Sequence, residues 1–311
     1  MARLVAVTGA TGFVGPHLVA ALARRGWKTR LLVRRWSPLP SLAGVEAEIV
    51  WGDLDDERAL RALLTEVEAV VHAAGLIKAR HARDFLSINR DGTARLSALA
   101  PGARFLLLSS LAAREPQLSP YAASKRAAED ALARRSGPWL AVRAPAVYGP
   151  GDRETLPYFR AAARGLAPRP NLAGARLALI HVDDLAQALA LALEQPLPPA
   201  VYEIDDGREG GYGYEDMATA AGEALGRKVR TLPLPQTVMN VVAAMNILRQ
   251  ILGGSVQILT ASKVQEIFHA DWTIHDRRLA NATDFKPRYG LLEGFRDTVL
   301  WYRRCGWLPN R

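Results

Sequence analysis

The sequence predicts an α/β fold, a doubly wound and mostly parallel sheet followed by a smaller, mixed and mainly helical lobe. From residue 1 to about 150, short apolar runs alternate with amphipathic stretches of helical spacing, which is the pattern of strand–helix–strand units. After Gly149 the alternation stops, and glycines, prolines and helical stretches dominate. We therefore expect one domain over 1–152 plus 178–206 and a second lobe over 153–177 plus 207–311.

Six short runs in the first half have the composition of buried parallel strands. They are rich in branched apolar residues and too short for helices. The runs are 4–7, 29–33, 48–50, 69–72, 105–108 and 140–142, with helical stretches such as 18–25 and 57–65 between them.

The region after residue 150 predicts fewer regular elements. A helix beginning at 160 should end near Gly165 and be followed by a proline-containing loop to 169. A short strand is expected at 177–180, a helix with aspartates at its start at 183–194, and a strand at 201–204 that rejoins the sheet.

Composition narrows the function classes. The chain has 311 residues, 49 % of them apolar, which is enough for a sizeable core. Cys305 is its only cysteine, which excludes an internal disulfide and every cysteine-cluster metal site. The net charge is +9, but the arginines are scattered and no basic run alternates with aromatics, so an anionic ligand is expected rather than nucleic acid.

The expected location is a reducing cytoplasm. A single cysteine fits that compartment. The first strand begins directly at the amino end, so no signal or transit peptide is expected there. No apolar run reaches the roughly 18 residues of a membrane span.

The stretch LVAVTGATGFVG at 4–15 places three glycines after the first strand. Gly9 allows a sharp turn, Gly12 lets backbone amides approach a pyrophosphate, and Gly15 lets the next helix pack closely on the sheet. The anion would lie at the helix N-terminus, where amides lack partners. The triplet alone also fits a tight strand-to-helix turn without a ligand.

Arg34 and Arg35 follow the second strand, about 20 residues beyond the glycines. An acidic residue here holds the ribose 2′-OH of NAD, whereas arginine would pair with the 2′-phosphate of NADP. NADP is therefore favoured over NAD. The alternative is a solvated basic turn.

Two further sets of residues fall at strand ends of the expected sheet, and Asn89 lies further along the chain. Asp53 follows the third strand, where it would accept a hydrogen bond from the adenine amino group or cap the next helix. Ala73, Ala74 and Gly75 follow the fourth strand and are small enough for a cofactor to lie against the backbone. Asn89 would bridge the sheet interior and the site.

The catalytic candidates are Ser110, Tyr121 and Lys125. Ser119 is a suitable N-cap and Pro120 a suitable first residue for a helix that carries Tyr121 and Lys125 on one face. A free tyrosine titrates near about 10, and an ammonium close by lowers that pKa toward neutrality. Tyr121 would then transfer a proton while Ser110 orients the same substrate oxygen. The alternative is a helix surface pair.

These residues lie in a series of motifs that runs from 4 to 190. The motifs are TGATGFVG (8–15), GDL (52–54), HAAG (72–75), NRDGT (89–93), SS (109–110), YAASK (121–125), RAPAVYGPGD (143–152) and IHVDDLA (180–186). In this order they resemble the extended short-chain dehydrogenase/reductase superfamily, the NAD(P)-dependent epimerase/dehydratase-like group. The tail GLLEGFRDTVLWYRRCGW (290–307) also resembles the closing helix of such proteins.

The resemblance implies a Rossmann fold and a set of cofactor contacts. Pyrophosphate contacts are implied at the glycine turn, namely Gly9, Thr11, Gly12, Phe13 and Val14. Further cofactor contacts are implied at Leu54, at Lys125 through the nicotinamide ribose, and at Pro145, Ala146 and Val147 along the nicotinamide.

Departures from the group's patterns bear on the reaction. Sugar 4,6-dehydratases carry Thr-Asp-Glu where this chain has Ser110, Leu111 and Ala112, so the carboxylate pair for eliminating water is missing. The serine-to-tyrosine segment is also shorter than in epimerases. We therefore expect an NADP(H)-dependent oxidoreductase that interconverts a secondary alcohol and a ketone. A nucleotide-sugar epimerase and a non-catalytic dinucleotide-binding sensor or scaffold are the alternatives.

The segment 237–259 is rich in Val, Ile, Leu and Met and holds one charged residue, Arg249. An ordinary core helix is one interpretation. The other is an apolar lid over a lipid-like substrate, or a surface resting on a membrane. The substrate is thus a small carbonyl or alcohol compound, lipid-like or a nucleotide sugar, and a homodimer is left open.

Overall fold

A computed structural model describes residues 3–37, 44–251 and 259–310, apart from the side chains of 247–251. The chain forms two compact units. The first comprises Met1–Ala144, Leu185–Ile204 and Asp276–Phe285, and the second comprises Pro145–Asp184, Asp205–His275 and Lys286–Arg311. The division at 1–152 plus 178–206 stays a prediction.

The first unit is built on a parallel sheet of seven strands. These are β1 (Leu4–Thr8), β2 (Lys28–Val33), β3 (Ala47–Trp51), β4 (Ala69–His72), β5 (Arg104–Ser110), β6 (Trp139–Ala144) and β11 (Ala200–Glu203). Their order is β11-β6-β5-β4-β1-β2-β3, so the winding direction reverses between β1 and β4. The predicted doubly wound parallel sheet is confirmed, and each of the six predicted strands lies within one of these elements.

Most helices of this unit connect these strands, and one follows the last strand along the chain. They are α1 (Val14–Arg24), α2 (Glu57–Leu64), α3 (Ala82–Phe85), α4 (Gly92–Leu99), α5 (Pro120–Leu132), α7 (Val182–Glu194) and α11 (Arg278–Thr283), with a π-helix at Leu86–Asp91 and a 3₁₀ turn at Leu111–Arg114. Much of the unit's core is a cluster that includes Leu60, Leu96, Phe105 and Leu132, none of them exposed. Burial of these side chains from both helices and strands fixes the helices on the sheet.

The second unit holds short strands in pairs and the remaining helices. The strands are β7 (Ala146–Tyr148), β8 (Leu166–Pro170), β9 (Arg176–Leu177), β10 (Leu179–His181), β12 (Arg230–Leu234) and β13 (Asp271–Trp272). The helices are α6 (Leu156–Ala162), α8 (Tyr214–Leu225), α9 (Gln236–Ile251), α10 (Ala261–Ile267) and α12 (Leu291–Arg304). Tyr148, Phe159, Phe295 and Tyr302 form the centre of its core, at most 2 % exposed.

Two expectations for this region are wrong. Residues 160–162 are helical as expected, at the end of α6, but the loop expected to reach 169 is instead the strand β8, Leu166–Pro170, paired with β12. Prolines are tolerated there because a two-stranded pair leaves one edge of each strand without ladder partners. The strand expected at 177–180 is divided at Ala178 into β9 and β10, which pair with different strands.

The core interpretation of 237–259 is also wrong where the structure can test it. Val238, Val241, Val242 and Met245 on α9 are 42–61 % exposed. Residues 252–258 of that segment lie outside the described residues. Within the described ranges, no helix is long and apolar enough to cross a membrane.

Candidate active site

The site residues of the first unit gather at one edge of the sheet, where the parallel strands β1, β4 and β5 end. Thr8 is in register with His72, and His72 with Leu107. The glycine turn, the Ala73–Gly75 segment and Ser110 follow these strand ends. This is the edge at which open α/β sheets bind ligands.

The glycine turn depends on missing side chains. Gly9 has a φ of +80°, and a Cβ there would lie 2.5 Å from the Ala74 nitrogen. A Cβ at Gly15 would lie 2.4 Å from the Ala10 carbonyl group. The chain can therefore turn out of β1, pass close to the segment after β4 and begin α1 only if both positions are glycine.

The turn has the features that a pyrophosphate requires. The Gly12 amide donates to the Gly9 carbonyl over 3.0 Å, which closes the turn. A Cβ at Gly12 would contact only the Gly9 oxygen, at 3.3 Å, so this exposed glycine leaves open space on its outer side. Phe13 provides no side-chain cap for α1, and its first turn has no acidic residue. The amides there can therefore hold an anion, and these residues fit a dinucleotide.

Thr8 and His72, the last residues of β1 and β4, form hydrogen bonds next to this turn. The Thr8 hydroxyl lies 2.6 Å from His72 Nδ1 and accepts from the Ala74 amide at 3.3 Å. His72 is fully buried, and burial, with a further contribution from the Lys125 charge, lowers its pKa to about 3. It is therefore neutral at physiological pH. Sequence reasoning did not assign His72 this role.

Arg34 and Arg35 lie directly after β2 and are exposed. Neither forms an ion pair with any other residue that the structure describes. Both guanidinium groups are therefore available to an anion at this sheet edge.

Asp53 does not cap α2. Its Oδ1 accepts from the amides of Asp55 and Asp56, at 2.9 and 3.1 Å, and so forms the turn before the helix. Asp56 is the N-cap, accepting from the Ala59 amide at 3.0 Å. The next residue, Leu54, is 7 % exposed. The adenine contact expected of Asp53 stays a prediction.

Helix α5 carries Tyr121 and Lys125. Ser119 caps it by accepting from the Ala122 amide at 2.9 Å, and Pro120 occupies its first turn. Tyr121 is half-buried, whereas Lys125 is only 6 % exposed and donates to the Leu108 carbonyl of β5 over 2.7 Å. Burial lowers the pKa of Lys125 to about 8, partly opposed by the Glu129 charge.

Asn89 joins the segment after β4 to α5. Its Oδ1 accepts from the Leu76 amide at 2.7 Å, and its Nδ2 donates to Ser124 Oγ at 2.8 Å. A Cβ at Gly75 would lie 3.3 Å from Asn89 Oδ1 and 3.8 Å from Lys125 Nζ. The structure thus brings Gly75, Asn89 and Lys125 together, and a side chain larger than that of glycine would press on Asn89 Oδ1.

Ser110 is the last residue of β5, and it starts the following 3₁₀ turn. Its Oγ accepts from the Ala112 amide at 3.2 Å. This contact fixes the hydroxyl oxygen and leaves the hydroxyl proton available to a substrate oxygen.

A buried carboxylate, Glu129, ties together the elements that carry the catalytic candidates. It accepts from Ser109 Oγ at 2.5 Å and is paired with Arg143 at 2.9 and 2.7 Å. It therefore connects α5 to both β5 and β6. Sequence reasoning missed Glu129, although its position one turn after Lys125, on the same helix face, was a signal.

Pro145, Ala146 and Val147 lie in the second unit, where Ala146 and Val147 belong to β7 and pair with Leu179 and Ile180 of β10. Their contact with the nicotinamide stays a prediction. In the part of the chain that the structure describes, no group of three or more His, Cys, Asp or Glu side chains could hold a metal ion.

Comparisons with known proteins identify the family. The model of the "NAD dependent epimerase/dehydratase family" matches residues 5–205. A ceramide reductase from Caulobacter vibrioides is 44 % identical over 309 residues, which cover 99 % of this chain and 96 % of that protein. A ketoreductase of a farnesyl-dihydroquinoline oxide from Stigmatella aurantiaca is 28 % identical over 225 residues, 65 % of this chain and 67 % of that protein.

Solved structures share the fold. The crystal structure of gox2253 has a TM-score of 0.80 at 24 % identity and covers 99 % of this chain and 100 % of that chain. MoeE5, solved with UDP-glucuronic acid and NAD, has a TM-score of 0.73 at 26 % identity, with 97 % and 99 % covered. The resemblance expected from the motifs is confirmed. The chain belongs to the NAD dependent epimerase/dehydratase family, among the extended short-chain dehydrogenases/reductases, and is an NAD(P)-dependent oxidoreductase.

Proposed function

We propose that this chain is an NADPH-dependent ketoreductase whose substrate is a ketone on a long-chain lipid amide of the ceramide type. The observation that carries the proposal is the similarity to a ceramide reductase over 99 % of this chain. The two exposed arginines after β2 support NADPH, because their guanidinium groups match a 2′-phosphate. The glycine turn would hold the pyrophosphate.

In the proposed reaction, Tyr121 donates a proton to the carbonyl oxygen as the alcohol forms. The Ser110 hydroxyl, its oxygen fixed by the Ala112 amide, donates a hydrogen bond to the same oxygen and orients it. Bound NADPH supplies the hydride that reduces the carbonyl carbon. The reverse reaction would use the same groups, with Tyr121 as the proton acceptor.

Lys125 prepares Tyr121 for this transfer. Its ammonium, held by the Leu108 carbonyl one helical turn from Tyr121, stabilises the phenolate that remains after proton donation. Since the pKa of Lys125 is about 8, the ammonium is mostly charged at neutral pH. The Glu129 carboxylate helps to keep it so.

One observation favours a second function, nucleotide-sugar epimerisation. MoeE5, which is similar over 97 % of this chain, was solved with UDP-glucuronic acid and NAD. An epimerase retains its cofactor in the same redox state after each turnover, whereas a ketoreductase consumes NADPH. The two functions can therefore be distinguished by which substrate is converted and by whether NADPH is consumed.

The test is NADPH oxidation with a long-chain 3-oxo lipid amide and, separately, analysis of the sugar product after incubation with UDP-glucose and NAD, because epimerisation consumes no cofactor. We expect turnover of the lipid amide, and a loss of roughly 100-fold or more in kcat for Tyr121→Phe with NADPH affinity retained. Tyr202→Phe on β11, which removes the hydrogen bond from the phenol to the Pro198 carbonyl, serves as the matched control and should keep wild-type turnover.

Three results would contradict the proposal. Turnover of UDP-sugars alone would support the epimerase. Equal loss of turnover and NADPH binding in Tyr121→Phe would make the phenol a structural group. NADPH binding without turnover of any carbonyl would indicate a sensor or scaffold.

A further inference from the structure

Helix α9 exposes four large apolar side chains on one face, and among its described side chains only Ala243 is buried. Val238, Val241, Val242 and Met245 recur at the spacing of one helix face and are 46, 61, 42 and 52 % exposed. Ala243, on the opposite face, is fully buried. An amphipathic helix of a globular domain normally has the reverse arrangement, so the exposed face requires a partner.

Two exposed leucines of the adjoining strands extend this apolar character. Leu166 on β8 is 45 % exposed and Leu232 on β12 is 41 % exposed. We call these two and the four α9 side chains the apolar surface. It includes six of the ten large hydrophobic residues that are exposed in the described part of the chain. No charged residue occurs from 231 to 248, although 23 % of the chain is charged.

A basic cluster adjoins the start of β12, which leads directly into α9. It consists of Arg164, Arg227, Lys228 and Arg230, all exposed. The Arg230 amide donates to the Gly165 carbonyl over 2.9 Å, so the two segments that carry the cluster are neighbours. None of the four side chains has an ion pair within the described residues, and the nearby Glu223 is paired with Arg296.

We propose that the apolar surface and the basic cluster together bind the surface of an anionic lipid bilayer. Exposed valines and methionine insert among acyl chains at the interface, while unpaired cations attract anionic headgroups. No charge between 231 and 248 opposes insertion of this face among acyl chains, and the adjoining cations match anionic headgroups, which favours a bilayer as the occupant. The proposal goes beyond the proposed function, because binding to the bilayer requires neither cofactor nor substrate.

The experiment is co-sedimentation of the full chain with phosphatidylcholine vesicles that contain or lack phosphatidylglycerol. We expect sedimentation with the anionic vesicles that weakens as salt rises. Val241→Asp/Met245→Asp should remain in the supernatant. Lys228→Glu/Arg230→Glu should bind at least about fivefold more weakly for each cation lost.

Matched control variants carry the same kinds of substitution, an exposed apolar residue to Asp and two exposed cations to Glu, outside the apolar surface and the basic cluster. Leu300→Asp alters a 51 % exposed leucine on α12, and Arg58→Glu/Arg134→Glu reverses two exposed cations of the first unit. Both should sediment like the wild type. Equal sedimentation of the α9 variant and the wild type, or none of the wild type, would overturn the proposal.

A second measurement does not require the variants with acidic substitutions to fold. Cys305 is exposed, so Cys305→Ala removes the only other thiol before an environment-sensitive dye is attached at Val241→Cys. Anionic vesicles should shift the dye emission to the blue, and a dye at Leu300→Cys should not respond. Two observations together would instead assign the surface to a second copy of the chain. The protein would be a dimer without lipid that Val241→Asp/Met245→Asp converts to a monomer, and the dye would not respond to vesicles.

Discussion

Lys125 shows how opposing effects can place one side chain near its titration point. Burial lowers the pKa of Lys125 to about 8, while Glu129 one turn further along α5 opposes that shift. The ammonium proposed to stabilise the Tyr121 phenolate is therefore lost in a pH range that an enzyme assay can reach. Glu129 thus acts on the proposed chemistry through Lys125 and does not itself need to touch the substrate.

We expect kcat for carbonyl reduction to fall as pH rises above about 8, as Lys125 loses its proton. Glu129→Gln should move this fall to lower pH, because the carboxylate that raises the lysine pKa is gone. The measurement is the pH profile of kcat at saturating NADPH. Ser109→Ala, which removes a partner of Glu129 but keeps its charge, should retain the wild-type profile. An unchanged profile in Glu129→Gln would contradict the assignment.

Arg34 and Arg35 carry the predicted cofactor preference. Each charge-assisted hydrogen bond to the 2′-phosphate should contribute about 1.5–3 kcal/mol. Arg34→Ala/Arg35→Ala should therefore raise the Kd of NADPH by roughly 100-fold or more when both arginines bind the phosphate, and leave the Kd of NADH nearly unchanged. Titration calorimetry with both dinucleotides checks this, and Arg58→Ala is the control. Equal weakening of NADPH and NADH would indicate a general charge effect.

At the scale of single residues, the sequence indicated the groups that recur at fixed spacing. Ser110, Tyr121, Lys125 and the three glycines could be proposed because their motifs follow predicted strands. The roles of His72 and Ser109 could not be predicted, because they depend on which strands are neighbours, and for Glu129 the sequence offered only its position one turn after Lys125. Glu129 matters because β5 and β6 lie side by side, which brings Ser109 and Arg143 to it.

The glycine turn is the element at which fold and proposed function can be separated by mutation. Gly9 combines a positive φ with a Cβ position 2.5 Å from backbone, whereas a Cβ at Gly12 meets only one oxygen at 3.3 Å. Gly9→Ala should therefore destabilise the fold by about 1–3 kcal/mol or more, the usual range for a strained backbone position. Gly12→Ala should fold nearly as well as the wild type.

The two variants should differ in dinucleotide binding. Gly12→Ala adds a methyl group on the open side of the turn, where the pyrophosphate would approach, so its NADPH affinity should fall without a matching loss of stability. Thermal unfolding and NADPH titration of both variants are the measurements. If Gly12→Ala bound NADPH like the wild type, the pyrophosphate would have to lie elsewhere.

Helices and strands could be predicted where the spacing of apolar residues in the sequence matches the side chains that the fold buries. The strands of the main sheet are apolar runs because both faces are covered, and α7 is helical from Val182 to Glu194 as its pattern indicated. The strand β8 was missed because its prolines suggest a loop, and only the pairing with β12 makes it a strand. The π-helix at Leu86–Asp91 places Asn89, and no local sequence signal predicted it.

At the scale of the whole molecule, long-range ion pairs close the first unit. Glu194 at the end of α7 accepts from Arg3 at 2.8 Å and Trp27 at 3.1 Å, and it also pairs with Arg25. Burial alone would raise the pKa of Glu194, but these donors hold it below its usual value. The arginines that appeared scattered in the sequence are therefore partly structural, which accounts for some of the +9 charge without a polyanionic partner.

The last prediction concerns the stability of the molecule in acid. The pKa of His72 is lowered to about 3 in the fold from its usual 6.5. Unfolding therefore takes up a proton between these values, so the contribution of His72 to stability is complete above pH 6.5 and is lost as pH falls toward 3. Asp206, whose pKa burial raises to about 6, changes stability in the opposite sense, so only a comparison of variants isolates the histidine.

We therefore expect His72→Gln, whose neutral amide can still hydrogen-bond Thr8, to be less stable than the wild type at pH 7. Its deficit should shrink steadily as pH falls, because the variant has no imidazole to protonate. Chemical denaturation at several pH values between 7 and 4 measures the difference in free energy of unfolding. If the free energy of unfolding changed with pH in the same way for both proteins, His72 would take up no proton on unfolding. The loss of stability in acid would then have another cause than the burial of a neutral His72.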